Sequence, residues 1–389
     1  MAIEARCGFC GIHYKDAQKL VRGIDPDCYV CSTCVQDCLD IFEEQDKELP
    51  SDKKKKSKRD RPTPREIFEH LDQYVIGQDS AKKIIAVSVY NHYKRLGRKQ
   101  NVEISKSNIL LIGPTGSGKT LIAETIAKFI DVPFATADAT GMTEAGYVGD
   151  DAESVLVRLL AKAEGDVKKA QQGIIYIDEI DKIAARETRT RDVGGEGVQQ
   201  GLLKMLEGAV VSINPEGKKS MSSPSIMMDT TEILFICGGA FSGITDVSNR
   251  KRALGLGAHA IEVLVPRKFK AKDLVKYGMI PEFIGRFPLL AQLNALSIQD
   301  LIRILIEPKN SITKQYEALL AMDGVTLTFD REFLEEVAVR AHSEGTGARG
   351  LRAIIEPALM ELMFTVPDLD MEEIEIKKDI LAPREDSNG

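Results

Sequence analysis

The chain has 389 residues, of which 43% are hydrophobic, and this is enough for two or three packed domains. It has no run of about 18 apolar residues, and its first ten residues lack a secretory signal or transit pattern, so we expect a cytoplasmic protein that does not span a membrane. The formal net charge of -7 argues against nucleic acid as the main partner, because nucleic-acid-binding domains are usually basic.

The N-terminal segment, residues 1–45, is predicted to be a zinc-binding domain. Six of the seven cysteines lie there: Cys7, Cys10, Cys28, Cys31, Cys34 and Cys38. In a reducing cytosol, thiols at C-x-x-C spacing more often hold a metal than form disulfides, and two such pairs separated by about 20 residues are typical of a zinc ribbon. The segment is too short for a large core, so bound zinc would supply much of its stability.

Spacing alone does not identify the second pair of zinc ligands. Cys28, Cys31 and Cys34 follow one another at equal intervals, and His13 lies close to the first pair. The cysteines that do not bind zinc would then be small, buried apolar residues.

Residues 46–62 are predicted to form a charged linker. The stretch is rich in charge and has no apolar periodicity, which is typical of a solvated tether. Its basic tract, residues 53–59, could instead bind nucleic acid, although runs of like charge usually remain solvated. From about residue 64 the apolar spacing becomes helical, and a large α/β domain is predicted over residues 63–290.

The first chemical motif of this domain is GPTGSGKT, which follows a short apolar strand and opens an amphipathic helix. Its glycines allow successive backbone N–H groups to surround a phosphate, and the N-terminus of the helix favours an anion there. Lys119 is predicted to contact the β- and γ-phosphates of ATP, and Thr120 to hold Mg²⁺. The predicted nucleotide-binding residues of this loop are Pro114, Thr115, Gly116, Ser117, Gly118, Lys119, Thr120 and Leu121.

A second buried strand, predicted over residues 174–177, ends in Asp178 and Glu179, the Walker B arrangement of a P-loop ATPase. Asp178 is predicted to orient Mg²⁺ through water and Glu179 to polarise the attacking water. Adjacent acids at a strand end could otherwise form a solvated turn or a helix cap. Asp181, which follows shortly afterwards, is assigned a structural role.

Between these two motifs, Tyr147 is flanked by Gly146 and Gly149. An aromatic side chain between glycines is seldom part of a core. Its position favours either a turn or a contact surface.

Taken in order, the motifs resemble those of the ClpX family of AAA+ protein unfoldases over nearly the whole chain. The matching stretches are CGFC, YVCSTCVQDCLDIF, PTPREIFEHLDQYVIGQDSAKK, GPTGSGKT, GYVGDD, IIYIDEIDKI, GVQQGLLKMLEG, LFICGGAF, IPEFIGRFP and TGARGLR. The resemblance implies a dimerising N-domain that recruits adaptors and some substrates, a homohexameric AAA+ ring, and a small, mostly helical domain over residues 291–389. It also implies that the zinc ligands are Cys7, Cys10, Cys31 and Cys34.

The resemblance further implies roles for single residues around the nucleotide. Arg286 matches the arginine finger, which reaches the ATP of the neighbouring subunit, and a forked guanidinium suits the charge that develops on the γ-phosphate. The alternative role of Arg286 is a surface ion pair. Arg349 matches sensor 2, brought from the small domain to the nucleotide of the same chain. Val75 and Ile76 match the adenine-side wall, although the pattern alone favours plain core.

Two pore loops are also implied by the resemblance. Tyr147 and Val148 match the loop that grips a threaded polypeptide, and residues 191–197 match a second, glycine-rich loop. Steric and apolar contacts of this kind tolerate many substrate sequences.

Two stretches depart from the family pattern. Leu254, Gly255 and Leu256 stand where the family has the tripeptide that docks on the ClpP peptidase, and the usual aromatic residue is replaced by leucine, which loses ring contacts. The basic Arg-Lys-His loop at the pore entrance is represented only by the sequence KKS at 218–220.

We therefore predict ATP-driven unfolding and translocation of protein substrates, with delivery to ClpP. Proteolysis is expected from that partner, since no Ser-His-Asp or Cys-His pattern stands out in the chain. Two alternatives remain open. The substitution at Leu256 favours a remodeller that works without ClpP, and the zinc domain with residues 53–59 could serve a nucleic-acid motor, against which the acidic net charge weighs.

Overall fold

The computed structural model describes residues 5–22, 28–38, 61–96, 102, 104–143, 150–185, 195–214, 225–244, 269–368 and 371–381. The chain divides into two compact units, Met1–Asp60 and Arg61–Gly389. None of the helices in these described ranges is both long and apolar enough to cross a membrane. Several predicted sites lie outside the described residues: Tyr147, Val148, Leu254, Gly255, Leu256, the 218–220 loop and the basic tract at 53–59.

The first unit contains a short hairpin and a helix. Strand β1 (Leu20–Arg22) pairs with β2 (Tyr29–Cys31) in antiparallel fashion, and helix α1 covers residues 32–38. The buried cluster of this unit consists of three cysteines with Ile12, Ala17, Leu20 and Val30 packed against them. So few apolar side chains cannot stabilise a fold alone, which is why a domain of this size needs a metal.

The second unit is built on a five-stranded, fully parallel sheet with the spatial order β11-β3-β10-β7-β4. The five strands are β3 (Ile109–Ile112), β4 (Phe134–Asp138), β7 (Ile174–Asp178), β10 (Leu234–Gly239) and β11 (Leu289–Gln292). Within the large domain, short pairs of strands also lie outside this sheet: β5 (Met142–Thr143) with β6 (Asp150–Asp151), and β8 (Val210–Ile213) with β9 (Ile226–Asp229).

Helices cover both faces of the sheet. Along β3, Ile109 and Leu111 belong to one apolar cluster, and Leu110 and Ile112 belong to the other. Both faces of the sheet are therefore buried, which explains why all four residues of this strand are apolar. The helices of this domain are α2 (Pro64–Asp72), α3 (Asp79–Arg95), α4 (Lys119–Ile130), α5 (Ser154–Lys162), α6 (Val167–Ala170), α7 (Glu196–Glu207), α8 (Ala271–Tyr277) and α9 (Pro281–Gly285).

The C-terminal part of this unit is a small, mostly helical domain with its own buried cluster. It contains α10 (Ile298–Ile306), α11 (Ile312–Met322), α12 (Arg331–Ser343), α13 (Ala348–Thr365) and the parallel pair β12 (Thr326–Phe329) and β13 (Glu373–Ile376). Ser297 starts α10 by accepting a hydrogen bond from the Asp300 N–H, while the Asp300 carboxylate accepts one from the Ser297 N–H.

The predicted architecture is confirmed: an α/β domain on a parallel sheet, a helical C-terminal part and an N-terminal cysteine cluster. The large sheet extends slightly past the boundary predicted at residue 290. Strand β11 runs to Gln292, and the Leu293 N–H still donates to the Ile112 carbonyl at 2.7 Å, so these backbone groups belong to the sheet.

Candidate functional site

The phosphate-binding loop lies between β3 and α4. Gly116 and Gly118 have φ angles of 75° and 96°, a region that other residues rarely adopt, so these glycines allow the chain to turn into α4. The Lys119 ammonium donates to the carbonyls of Gly113 at 2.7 Å and Pro114 at 3.0 Å. The lysine is thereby held inside the loop, where a phosphate would offer a stronger, anionic partner.

Burial lowers the pKa of Lys119, and the nearby carboxylates of Asp178 and Asp181 oppose this shift. A bound phosphate would add further negative charge and favour the ammonium form. The side chain is therefore suited to an anionic ligand rather than to a neutral one.

Strand β7 delivers Asp178 and Glu179 to the same edge of the sheet as the phosphate-binding loop, because the strands are parallel. The Thr120 hydroxyl donates to Asp178 Oδ2 at 3.1 Å, and the Glu179 N–H donates to Asp178 Oδ1 at 2.9 Å. Glu179 itself has a φ of 55°, which is uncommon for a residue with a side chain. The two motifs thus form one hydrogen-bonded unit, with the hydroxyl and carboxylate oxygens that Mg²⁺ prefers.

Asp181 has the structural role that its sequence position indicates. It is buried, and its Oδ1 accepts a hydrogen bond from the Ala240 N–H at 3.0 Å. This contact fixes the turn after β7 against the end of β10.

Tyr176 belongs to this site and was not identified from the sequence. It lies on β7 two residues before Asp178, is fully buried, and its hydroxyl has no hydrogen-bond partner among the residues the structure describes. Burial, and then the charge of Asp178, raise the pKa of Tyr176, so the phenol keeps its proton at neutral pH. The available signal was the period of two along a strand, which places both residues on one face.

The small domain completes the site. The Ala348 N–H donates to the Gly116 carbonyl at 3.3 Å, so the start of α13 touches the phosphate-binding loop and brings Arg349 beside it. A cavity of about 440 Å³ opens here, a volume typical of small-molecule sites. It is lined by Thr115, Gly116, Gly118, Lys119, Thr120, Leu121, Asp178, Glu179, Asp181, Lys182, Ala240, Ser242, Ala348 and Arg349.

Four of the predicted nucleotide-binding residues do not line this cavity. The Ser117 hydroxyl donates to the Pro114 carbonyl at 2.7 Å, which stabilises the loop from within. Val75 and Ile76 are buried, and Val75 packs in the apolar cluster beneath the sheet. Their assignment to an adenine-side wall stays a prediction.

Arg286 is not among the residues that line the cavity of its own chain. It follows α9 and forms an ion pair with Glu207 at the end of α7, with each side chain about half exposed. Asn108 is buried and donates to the carbonyls of Leu206 at 3.2 Å and Arg286 at 3.1 Å. An arginine finger acts on the ATP of a neighbouring subunit, and this role of Arg286 stays a prediction.

The first unit contains a second candidate site. The sulfur atoms of Cys7, Cys10, Cys31 and Cys34 all lie within 4.8 Å of one another, and the Cys10 and Cys31 sulfurs are 3.6 Å apart. Four thiolates at the usual Zn–S distance of about 2.3 Å would be separated by about 3.8 Å in a tetrahedron. The residues present therefore fit a zinc ion.

Backbone groups favour the thiolate form, which zinc requires, at Cys7, whereas the hydrogen bond with the Cys10 thiol, together with burial, raises the pKa of Cys34. The Cys31 N–H donates to the Cys7 sulfur at 3.3 Å, and the Cys34 N–H donates to the Cys31 sulfur at 3.4 Å. Hydrogen bonding, chiefly from the backbone of Cys10, lowers the pKa of Cys7 to about 6. Cys28 and Cys38 do not join this four-sulfur group, so geometry resolves the ambiguity that spacing left.

Comparison with known protein families gives two matches. Residues 104–290 match the AAA domain (Cdc48 subfamily), and residues 296–367 match the C-terminal, D2-small domain of ClpB protein. With the parallel sheet and the cavity described above, these matches indicate an AAA+ ATPase of the Clp/Hsp100 type, which uses a nucleotide and Mg²⁺. Such domains generally form hexamers and support ATP-driven remodelling of proteins.

Proposed function

We propose that this chain is an ATP-driven protein unfoldase and translocase of the ClpX type, which threads polypeptides through a homohexameric pore and delivers them to the ClpP peptidase. One observation carries the proposal. The cavity is built by both domains of the second unit, with Arg349 of the small domain beside the phosphate-binding loop of the large domain.

The residues around the cavity divide the chemistry of ATP hydrolysis among them. Lys119 would bind the phosphates, and Thr120 with Asp178 would hold Mg²⁺, whose charge neutralises the phosphate oxygens. Glu179 would orient the attacking water and accept its proton. Arg286 would stabilise the γ-phosphate in the neighbouring subunit of the ring.

The contact between the domains supports conversion of nucleotide state into movement. A β-carbon added to Gly116 would lie 2.5 Å from the Thr346 carbonyl oxygen and 3.0 Å from the Gly347 α-carbon, so the two backbones are in direct contact. A phosphate that displaces the loop would therefore push against the small domain. In a ring, such rotations would move the pore loops that Tyr147 and Val148 are proposed to form.

Delivery to ClpP is the part of the proposal that rests on resemblance alone. Leu254, Gly255 and Leu256 would supply the docking tripeptide, with an aliphatic side chain where an aromatic one is common. This substitution favours a second candidate function, a protein remodeller that acts without ClpP. The zinc-binding unit would recruit adaptors and substrates in either case.

A single reconstitution tests these alternatives. The protein is mixed with ATP, Mg²⁺ and a folded, tagged fluorescent reporter, with and without ClpP, and fluorescence and reporter length are followed. Degradation only with ClpP is the expected result, and unfolding without degradation would favour the remodeller. If the reporter stays folded while the wild-type protein hydrolyses ATP, the unfoldase assignment is wrong. The Glu179→Gln variant serves as the control that binds ATP but does not drive unfolding.

A further inference from the structure

The buried hydroxyl of Tyr176 is an unsatisfied donor next to the proposed metal site. The side chain has no exposed surface, and its oxygen has no hydrogen-bond partner within the described part of the chain. A buried hydroxyl left in this state destabilises the fold, because it has lost its bonds to water without gaining others. Phenylalanine would fill the same space without this cost.

The fold makes room for this hydroxyl. A β-carbon added to Gly238 on the neighbouring strand would lie 2.1 Å from the Tyr176 hydroxyl oxygen and 3.2 Å from Asp178 Oδ1. Both oxygens therefore border the space above Gly238, which only a residue without a side chain leaves open. Its φ is not in the left-handed region, so space rather than backbone conformation explains the glycine.

Asp178 lies near this hydroxyl, because both oxygens lie close to the same β-carbon position of Gly238. The Asp178 carboxylate accepts hydrogen bonds from the Thr120 hydroxyl and the Glu179 N–H. A carboxylate offers about four lone-pair positions, so it can accept a further bond. The Tyr176 hydroxyl can donate a hydrogen bond, and the Asp178 carboxylate can accept one more.

We propose that Tyr176 is a positioning residue for the metal site: when Mg²⁺ and a nucleotide are bound, its hydroxyl donates a hydrogen bond to Asp178 and holds this carboxylate beside Thr120. The inference rests on the proposed roles of Thr120 and Asp178. The hydrogen bond forms in the loaded state and is missing in the empty one, so it adds to the affinity for the ligand. Hydrogen-bond partners of metal-binding groups typically change metal affinity roughly 10- to 100-fold.

The test compares Tyr176→Phe with a matched control, Tyr93→Phe. Tyr93 is also buried, but its hydroxyl already donates to the Gln172 carbonyl at 3.1 Å, and neither residue lines the cavity. ADP affinity is measured by calorimetry on the full chain, once with Mg²⁺ and once with EDTA. Thermal unfolding is measured without nucleotide.

We expect opposite patterns from the two variants. Tyr176→Phe should bind ADP roughly tenfold more weakly in the presence of Mg²⁺ and equally well in EDTA, while its melting temperature without ligand is unchanged or higher. Tyr93→Phe should have a lower melting temperature and an unchanged ADP affinity, because it loses a structural hydrogen bond.

Equal ADP affinity of wild type and Tyr176→Phe in Mg²⁺ would overturn the inference while leaving the proposed ATPase site intact. A lower melting temperature of Tyr176→Phe without nucleotide would also overturn it, since the hydroxyl would then be bonded in the empty protein. If the wild type itself showed no effect of Mg²⁺ on ADP affinity, the roles of Thr120 and Asp178 would fail together with this inference.

Discussion

The contact between the phosphate-binding loop and the small domain gives the sharpest prediction, the effect of Gly116→Ala. Gly116 has a φ of 75°, and an added β-carbon would lie 2.5 Å from the Thr346 carbonyl oxygen and 3.1 Å from the Ala348 nitrogen. The backbone conformation costs about 1 to 2 kcal/mol for an L-residue. Overpacking against backbone atoms, which cannot rotate away, costs about 1 to 3 kcal/mol more.

The free energy of unfolding of Gly116→Ala should therefore fall by about 2 to 5 kcal/mol if the domains stay in contact. The small domain can relieve the clash by moving away, and the variant would then lose the Ala348 to Gly116 hydrogen bond and the position of Arg349. In that case ADP affinity falls instead. Urea unfolding and calorimetric ADP binding on the same preparation measure both effects.

The matched control is Gly324→Ala in the small domain. Gly324 has a φ of 84°, but nothing lies within 4 Å of an added β-carbon, so this variant has the backbone cost without the clash. If Gly116→Ala and Gly324→Ala lost equal stability and both kept the wild-type ADP affinity, the contact between the two domains would be refuted.

Three further predictions address the remaining chemistry. Glu179→Gln should bind ATP but hydrolyse it at least ~100-fold more slowly in a phosphate-release assay, whereas Lys119→Ala should lose ATP affinity. Cys31→Ser should purify without bound zinc and Cys28→Ser with it, as measured by elemental analysis. Burial lowers the pKa of His92 to about 3 from an ordinary 6.5, so protonation favours the unfolded chain. As the pH falls from 6.5 towards 3, the free energy of unfolding should decrease by up to about 1.4 kcal/mol per pH unit. Urea unfolding at pH 7 and pH 5 should show a smaller decrease in His92→Gln than in the wild type.

The parts of the fold that could be predicted from the sequence are those with local signals. The phosphate-binding loop combines an apolar strand, glycines and a helix within a few residues, and the acids of β7 directly follow a buried strand. Tyr176 was missed because its significance comes from Gly238, which lies on the adjacent strand but some sixty residues away in the chain. Strand pairing of this kind leaves no mark in a short stretch of sequence.

The structure was also needed to identify the second pair of zinc ligands and to locate the end of the large sheet. The equal spacing of Cys28, Cys31 and Cys34 is resolved by the hairpin register, in which Leu20 pairs with Cys31 and sets that thiol inside the unit. The sequence predicts a domain boundary at about residue 290, with the small domain beginning near Leu293, and strand β11 (Leu289–Gln292) spans that point. Hydrogen bonding of Leu293 to β3, rather than composition, determines where the sheet ends.

Helix α7 connects the predicted pore to the predicted catalytic arginine. It starts at Glu196, near the end of the glycine-rich stretch 191–197 that resembles a pore loop, and it ends at Glu207, which pairs with Arg286. Asn108 binds the carbonyls at this end of the helix and of Arg286, and β3 begins at the next residue and leads into the phosphate-binding loop. Because a helix with buried contacts moves as a rigid element, a force on the loop would displace α7 and, with it, Arg286 and the start of β3. The same fold element thus offers a physical route by which substrate in the pore could alter ATP hydrolysis in the ring.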